Sequence, residues 1–291
     1  MAHKSGFVNI LGNPNVGKST LMNALVGQKL SIITSKSQTT RHRILGIVNG
    51  EDFQIVYSDT PGIIKPAYKL QEAMMQSVFT ALTDADLIVY VTDVIETIDK
   101  NRDILNLVIN SDVPVILVIN KIDLSNQEKL ELLIERWKSI MSEAIIVPLS
   151  AREKFNTDTL FSLILDRLPE GPPYFPKDQL TDRYERFFVK EILREKILKN
   201  YRKEIPYSVE VEIEEYKEED KIVNIRALIH VSRDSQKGII IGHRGKMLKK
   251  TGTEARIDIE EFIAKKVYLE MYVKVSKDWR DKPGALRKFG Y

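Results

Sequence analysis

Over the first 168 residues, short β-branched apolar runs alternate with longer amphipathic stretches. The runs lie at 7–11, 44–48, 53–58, 87–92, 115–120 and 145–149. They have strand length and the stretches between them have helix length. The pattern therefore predicts βαβ units: a mostly parallel, six-stranded α/β sheet with helices on both faces. The stretches 87–91 and 113–119 are apolar almost throughout, as strands buried on both faces are, and fall far short of the ~20 residues that a membrane-spanning helix needs.

The alternation stops at Leu168-Pro169-Glu170-Gly171-Pro172-Pro173-Tyr174-Phe175-Pro176, because proline fixes φ and continues neither a helix nor a central strand. This places a first domain at 1–169 and a stiff linker at 170–180. Beyond it, 181–291 has a different grammar. A helix is predicted at 181–201, then strands at 208–216 and 222–232 around the acidic loop 217–220. A short and a longer helix flank 242–245, and a last strand covers 267–275. The order α-β-β-α-α-β describes a smaller α+β module.

The chain has 291 residues, 43% hydrophobic and 29% charged, which suits a globular protein of two domains. A net charge of +3 says little about a nucleic-acid partner, since basicity also serves solubility. Cysteine is absent, which excludes disulfides and thiolate metal sites. The opening Met1-Ala2-His3-Lys4-Ser5-Gly6 runs into an apolar strand with no signal-peptide core. A cytoplasmic monomer is the expectation.

Chemistry enters at the ends of the predicted strands. Gly12-Asn13-Pro14-Asn15-Val16-Gly17-Lys18-Ser19 is G-x-x-x-x-G-K-S, placed between the first strand and a helix opening at Thr20. Backbone N–H groups of such a P-loop curl around phosphates, the lysine reaches β/γ oxygens and the serine hydroxyl ligates Mg²⁺. Asn120-Lys121-Ile122-Asp123 ends the fifth strand. There, a carboxylate at Asp123 accepts two hydrogen bonds from guanine, which adenine cannot offer; capping the following helix is the other reading. Asn120 is expected to tie this loop to the phosphate loop, Lys121 to cover the base, and Ser150-Ala151 to supply a backbone N–H to guanine O6.

Asp59-Thr60-Pro61-Gly62 ends the third strand. Asp59 is expected to hold Mg²⁺ through water and the Gly62 N–H to sense the γ-phosphate, although Pro-Gly also makes a simple turn. Within Ser37-Gln38-Thr39-Thr40-Arg41, Thr40 is chosen as the residue closing on Mg²⁺. Ser19, Thr40 and Asp59 thus form the metal set for GTP or GDP. Lys18, Thr40, Gly62 and Asn15 are expected to act on the transferring phosphoryl group. Ile63 follows Gly62 where Ras-like enzymes place a water-orienting glutamine, and an aliphatic chain cannot do that work.

In the second module, Ile239-Ile240-Ile241-Gly242-His243-Arg244-Gly245-Lys246 sets a G-x-x-G between two helices. KH domains clamp single-stranded RNA with such a loop: glycine permits close approach, Arg244 and Lys246 neutralise phosphate, and 239–241 line the groove floor. A plain helix connection with a solvated lysine face is the other reading. The set as a whole resembles the translation-factor-related bacterial GTPases of the Era family, and the resemblance extends to the end of the chain.

The resemblance implies that 38–42 lies in switch I, that 59–62 opens switch II and that the module is a type II KH domain. It implies binding to the 3′ end of small-subunit (16S) ribosomal RNA and a role in small ribosomal subunit assembly. Relatives with G-x-P-N-x-G-K-S loops use the asparagine, here Asn15, to hold potassium; a purely loop-shaping asparagine is the alternative. A different class of function is a signalling GTPase that touches the inner face of the cell membrane and docks a protein through the KH-like module.

Overall fold

The computed structural model describes residues 2–98 and 101–291. The chain divides into two compact units, Met1–Pro66 with Ala73–Asp182, and Ala67–Glu72 with Arg183–Tyr291. In the first unit, β1 (Lys4–Gly12), β2 (Ile44–Asn49), β3 (Phe53–Asp59), β4 (Leu87–Asp93), β5 (Val115–Asn120) and β6 (Ile145–Pro148) form one sheet. Its order is β2-β3-β1-β4-β5-β6, parallel except for β2 against β3. β4 is buried along its whole length, as its unbroken apolar run requires.

Helices α1 (Lys18–Val26), α2 (Lys69–Thr83), α3 (Arg102–Ile109), α4 (Gln127–Ile140) and α5 (Thr157–Arg167) follow the strands. The strand order reverses between β1 and β4, and their carboxyl ends carry Gly12 and Asp93, with Asp59 and Asn120 ending the flanking strands. Ligands in open α/β sheets settle at such a switch point. The six predicted strands are all present, each within a few residues of its expected ends.

The segment 170–180, expected as a stiff linker, is laid against the first unit. Gly171 N donates to His3 O at 2.9 Å, and the Tyr174 and Phe175 amides donate to Gln54 Oε1 at 2.7 and 2.9 Å. Ile47 N donates to Leu180 O at 2.8 Å, and Thr181 Oγ1 to Leu45 O at 2.7 Å. Because Thr181 and Asp182 are engaged with β2, the next helix starts at Glu185 rather than 181.

In the second unit, α6 (Glu185–Asn200), α7 (Ile205–Ser208), β7 (Glu210–Glu218), β8 (Ile222–Val231), α8 (Asp234–Ile241), α9 (Lys246–Ile263), β9 (Lys266–Val275) and α10 (Pro283–Phe289) follow in order. The sheet order is β7-β8-β9, with β8 antiparallel to β7 and parallel to β9, the αββααβ arrangement of a type II KH fold. Its core joins α6 through Val189, Leu193 and Ile197 to β8 through Ile225, Ala227 and Ile229. The four-residue α7 and the terminal α10 are additions to the expected order. They are held by the buried Trp279, whose Nε1 donates to Ser208 O at 3.0 Å. Among the described residues, no helix is long and apolar enough to cross a membrane.

Candidate functional site

The phosphate loop begins where β1 ends. A Cβ on Gly12 would sit 2.1 Å from Val91 O, at a φ of +145°, and one on Gly17 would sit 2.2 Å from Asn120 Nδ2, at a φ of +98°. Both positions therefore demand glycine on steric and backbone grounds. Gly17 is followed directly by α1, so its unpaired amides and positive helix end point into the loop. The Lys18 ammonium lies inside, donating to Gly12 O at 3.0 Å and Asn13 O at 2.8 Å. Burial lowers its pKa to about 8, against the opposing pull of the Asp59 and Glu96 carboxylates.

A cavity of about 680 Å³ opens over this loop, within the range of small-molecule sites. Its walls include Pro14, Asn15, Gly17, Lys18, Ser19, Thr20, Thr40, Thr60, Gly62, Asn120, Lys121, Asp123 and Ser150. The remaining nucleotide-site residues of the sequence reading, Gly12, Asn13, Val16, Asp59, Pro61 and Ala151, are buried and do not line it. Val16 is buried, with its carbonyl taken by Asn120 Nδ2 at 2.8 Å.

Asp59 is fully buried; its Oδ2 accepts from Ser19 Oγ at 2.7 Å and Thr40 Oγ1 at 3.3 Å, while those two hydroxyls lie 2.9 Å apart. Burial raises the Asp59 pKa, with the Ser19 hydrogen bond and the Lys18 charge acting the other way. Asp59 Oδ1 is buried without a hydrogen-bond partner. A buried carboxylate with an unsatisfied oxygen beside two hydroxyls is an all-oxygen donor set that fits a small, hard divalent cation.

At the other end of the cavity Asp123 Oδ1 accepts from Ser150 Oγ at 2.6 Å, which orients the carboxylate. Asp123 does not cap the following helix. Asn126 does, accepting from Lys129 N at 3.0 Å. Of the Ser150-Ala151 pair, expected to supply a backbone N–H to guanine O6, the Ala151 N–H donates here to Asn120 Oδ1 at 3.0 Å. Lys121 stretches back along the rim, its Nζ 2.6 Å from Asn15 O and 2.5 Å from Asp93 Oδ2. Asp93, Glu96 and Asn101 sit in this neighbourhood without any signal in the sequence motifs. Ile63, for its part, is turned into the core with Leu11, Met75 and Val78.

In the second unit the 243–245 turn joins α8 to α9, with Gly242 at φ +70°, Arg244 at φ +49° and Gly245 at φ +76°. His243, Arg244 and Lys246 lie on that turn and at the first position of α9. The expectation that Ile239, Ile240 and Ile241 all line a groove needs correction. Successive helical residues are about 100° apart, and Ile240 is fully buried in the core while Ile239 is 48% exposed. Tyr201 Oη anchors this helix end by donating to Ile240 O at 2.7 Å.

A parallel sheet with a phosphate loop, a buried carboxylate–hydroxyl cluster and an Asn-Lys-x-Asp loop defines the class of P-loop GTPases, here with a KH domain attached. A family model described as a 50S ribosome-binding GTPase matches residues 7–121, and one described as a KH domain matches residues 204–280. GTPase Era of Staphylococcus haemolyticus is 47% identical over 99% of this chain and 97% of its own. The chain belongs to the Era family of GTPases. Two solved structures are each 41% identical, with a TM-score of 0.95 over 99% of both chains. One is Era in complex with MgGDPNP and nucleotides 1506–1542 of 16S ribosomal RNA; the other is a variant of Aquifex aeolicus Era bound to GDP and AlF4⁻.

Proposed function

We propose that the first unit binds and hydrolyses GTP with Mg²⁺ in the cavity over the phosphate loop, that the 242–245 turn of the second unit grips single-stranded ribosomal RNA, and that the pair acts in small ribosomal subunit assembly. The observation that carries the nucleotide assignment is the Asn120 side chain. Its Nδ2 donates to Val16 O and its Oδ1 accepts from Ala151 N, so one amide joins the phosphate loop, the base loop and the turn after β6 into a single socket.

Within that socket Asp123, oriented by Ser150, pairs with the guanine edge, and a base without those donors leaves a polar group unpaired. The N–H groups at the start of α1 and the Lys18 ammonium take the phosphates. Ser19 and Thr40 would hold the cation directly and Asp59 through water. When bound, Mg²⁺ neutralises charge developing on the β/γ oxygens.

Asn15 supports a further ligand. Its Nδ2 lies 3.4 Å from Ser35 O, so a turned Asn15 amide would set two oxygens at one corner of the cavity. That pair suits a potassium ion, which offsets charge in the absence of a polar side chain at 63. Phosphate release should run faster in potassium than in sodium, and Asn15→Ala should remove the difference. Equal rates in matched salts would end the potassium reading.

The RNA assignment is tested by replacing His243→Asp and Arg244→Asp together, which keeps both glycines and turns phosphate attraction into repulsion. Affinity for a single-stranded 16S 3′-end oligonucleotide should fall at least ~10-fold at fixed salt, while GTP affinity stays unchanged. Wild-type RNA affinity in a variant with native circular dichroism would reduce the turn to a helix connection.

A further inference from the structure

A chain of side-chain hydrogen bonds runs from β4 through Asn13 of the phosphate loop to switch II, and three of its members, Thr92, Glu96 and Asn101, lie outside the nucleotide motifs. Thr92 Oγ1 donates to Glu96 Oε1 at 2.7 Å, and Asn13 Nδ2 donates to Glu96 Oε2 at 2.9 Å. Asn101 Nδ2 then donates to Asn13 Oδ1 at 2.8 Å and to Ile63 O at 2.9 Å. The polarity of the chain is forced. A carboxylate only accepts, so Asn13 must turn its NH₂ to Glu96 and its oxygen to Asn101, and Asn101 must spend both amide hydrogens on the two oxygens it faces.

The residue so held is the one after Gly62, gripped at its carbonyl. Ile63 N donates to Gly12 O at 3.1 Å, so this residue is fixed at both backbone ends, by the phosphate loop on one side and by Asn101 on the other. A Cβ on Gly62 would lie 2.8 Å from Pro14 Cα, which shows how closely the segment is pressed on the loop. The Ile63 side chain is in the core. What this stretch of switch II can present to a γ-phosphate or to an attacking water is therefore backbone, and backbone is aimed only as well as it is clamped.

We propose that Asn101 is a positioning residue for GTP hydrolysis: it orients the Gly62–Ile63 backbone toward the reacting phosphoryl group through its paired donation to Asn13 and Ile63. The role rests on the assignment of the cavity as the GTP site. Asn101 itself is in the left-handed region, at φ 53°, where asparagine is tolerated and where glycine is unstrained.

That conformation supplies the test. Asn101→Gly removes the amide while easing the backbone, so loss of folding does not cloud the result. Asn101→Asp keeps the shape but opposes an acceptor to two acceptors. Single-turnover hydrolysis by nucleotide-saturated protein should fall roughly tenfold or more in both variants, because small displacements at a reacting centre cost rate steeply. GTP and GDP affinities should stay within about threefold of the parent, since the phosphate and base contacts remain. A purely structural role predicts the reverse, a lower melting temperature with an unchanged rate on bound GTP. Parent-like turnover by Asn101→Gly, or lost affinity with unchanged single-turnover rate, would overturn the assignment. Failure of the unsubstituted protein to bind GTP in this cavity would instead remove the site assignment on which it stands.

Discussion

Lys18 is the residue whose protonation the fold disturbs most usefully. In the free protein its neighbours on the phosphate loop are carbonyls, and burial leaves its pKa at about 8. Phosphate oxygens seated on this loop as proposed would favour the charged form and hold the proton well above that value. Above pH 8 the complex therefore binds more protons than the free protein, and affinity must drop as pH rises. GDP titrated from about pH 7 to about pH 9.5 should bind progressively more weakly beyond pH 8, by at most ~10-fold per unit. Guanosine, which lacks phosphates, should show no such fall below the titration of its own base. A flat GDP profile would mean that Lys18 stays charged in the empty loop.

At the scale of elements, legibility followed length and period. The six strands of the first unit announce themselves as apolar runs, and the G-x-x-x-x-G-K-S loop is found because strand, loop and helix are contiguous in the chain. The type II KH order was readable for the same reason. Four-residue α7 is too short to show a helical period. The 170–180 stretch reads as a spacer because prolines break periodicity, yet its carbonyls and amides are used by Gln54, Ile47 and His3, partners far away in sequence. Asn101 and Glu96 were hidden in the same way. A hydrogen bond across 38 residues to Ile63 O, or across 83 from Asn13 to Glu96, leaves no local spacing to detect. The three isoleucines before Gly242 are alike in the sequence, but a helix cannot turn all of them to one surface.

For the whole molecule the question is whether the nucleotide governs the RNA grip. Asp123→Asn offers a way to ask it without disturbing the phosphates. An amide there donates to the C2 carbonyl of xanthine, and Oδ1 still accepts from Ser150. GTP should bind roughly 10²–10⁴-fold more weakly and xanthosine triphosphate correspondingly better. If the units are coupled as a switch, xanthosine triphosphate and not GTP should then alter the affinity for the 16S oligonucleotide. Unchanged guanine preference in competition binding would take Asp123 out of the base site.

The segment 179–182 laid along β2 bears on whether this chain can pair with its own copies. β2 is the outermost strand of its sheet, and Leu180 O, Thr181 and Asp182 occupy the backbone groups of Ile47 and Leu45 that would otherwise face outward. A bare strand edge is a template for intermolecular pairing, and a segment that meets the β2 backbone through one carbonyl and two side chains is no strand to be continued in its place. A fragment ending at 169 should therefore self-associate in light scattering where one ending at 182 stays dispersed. Equal dispersity would show that β2 needs no such guard.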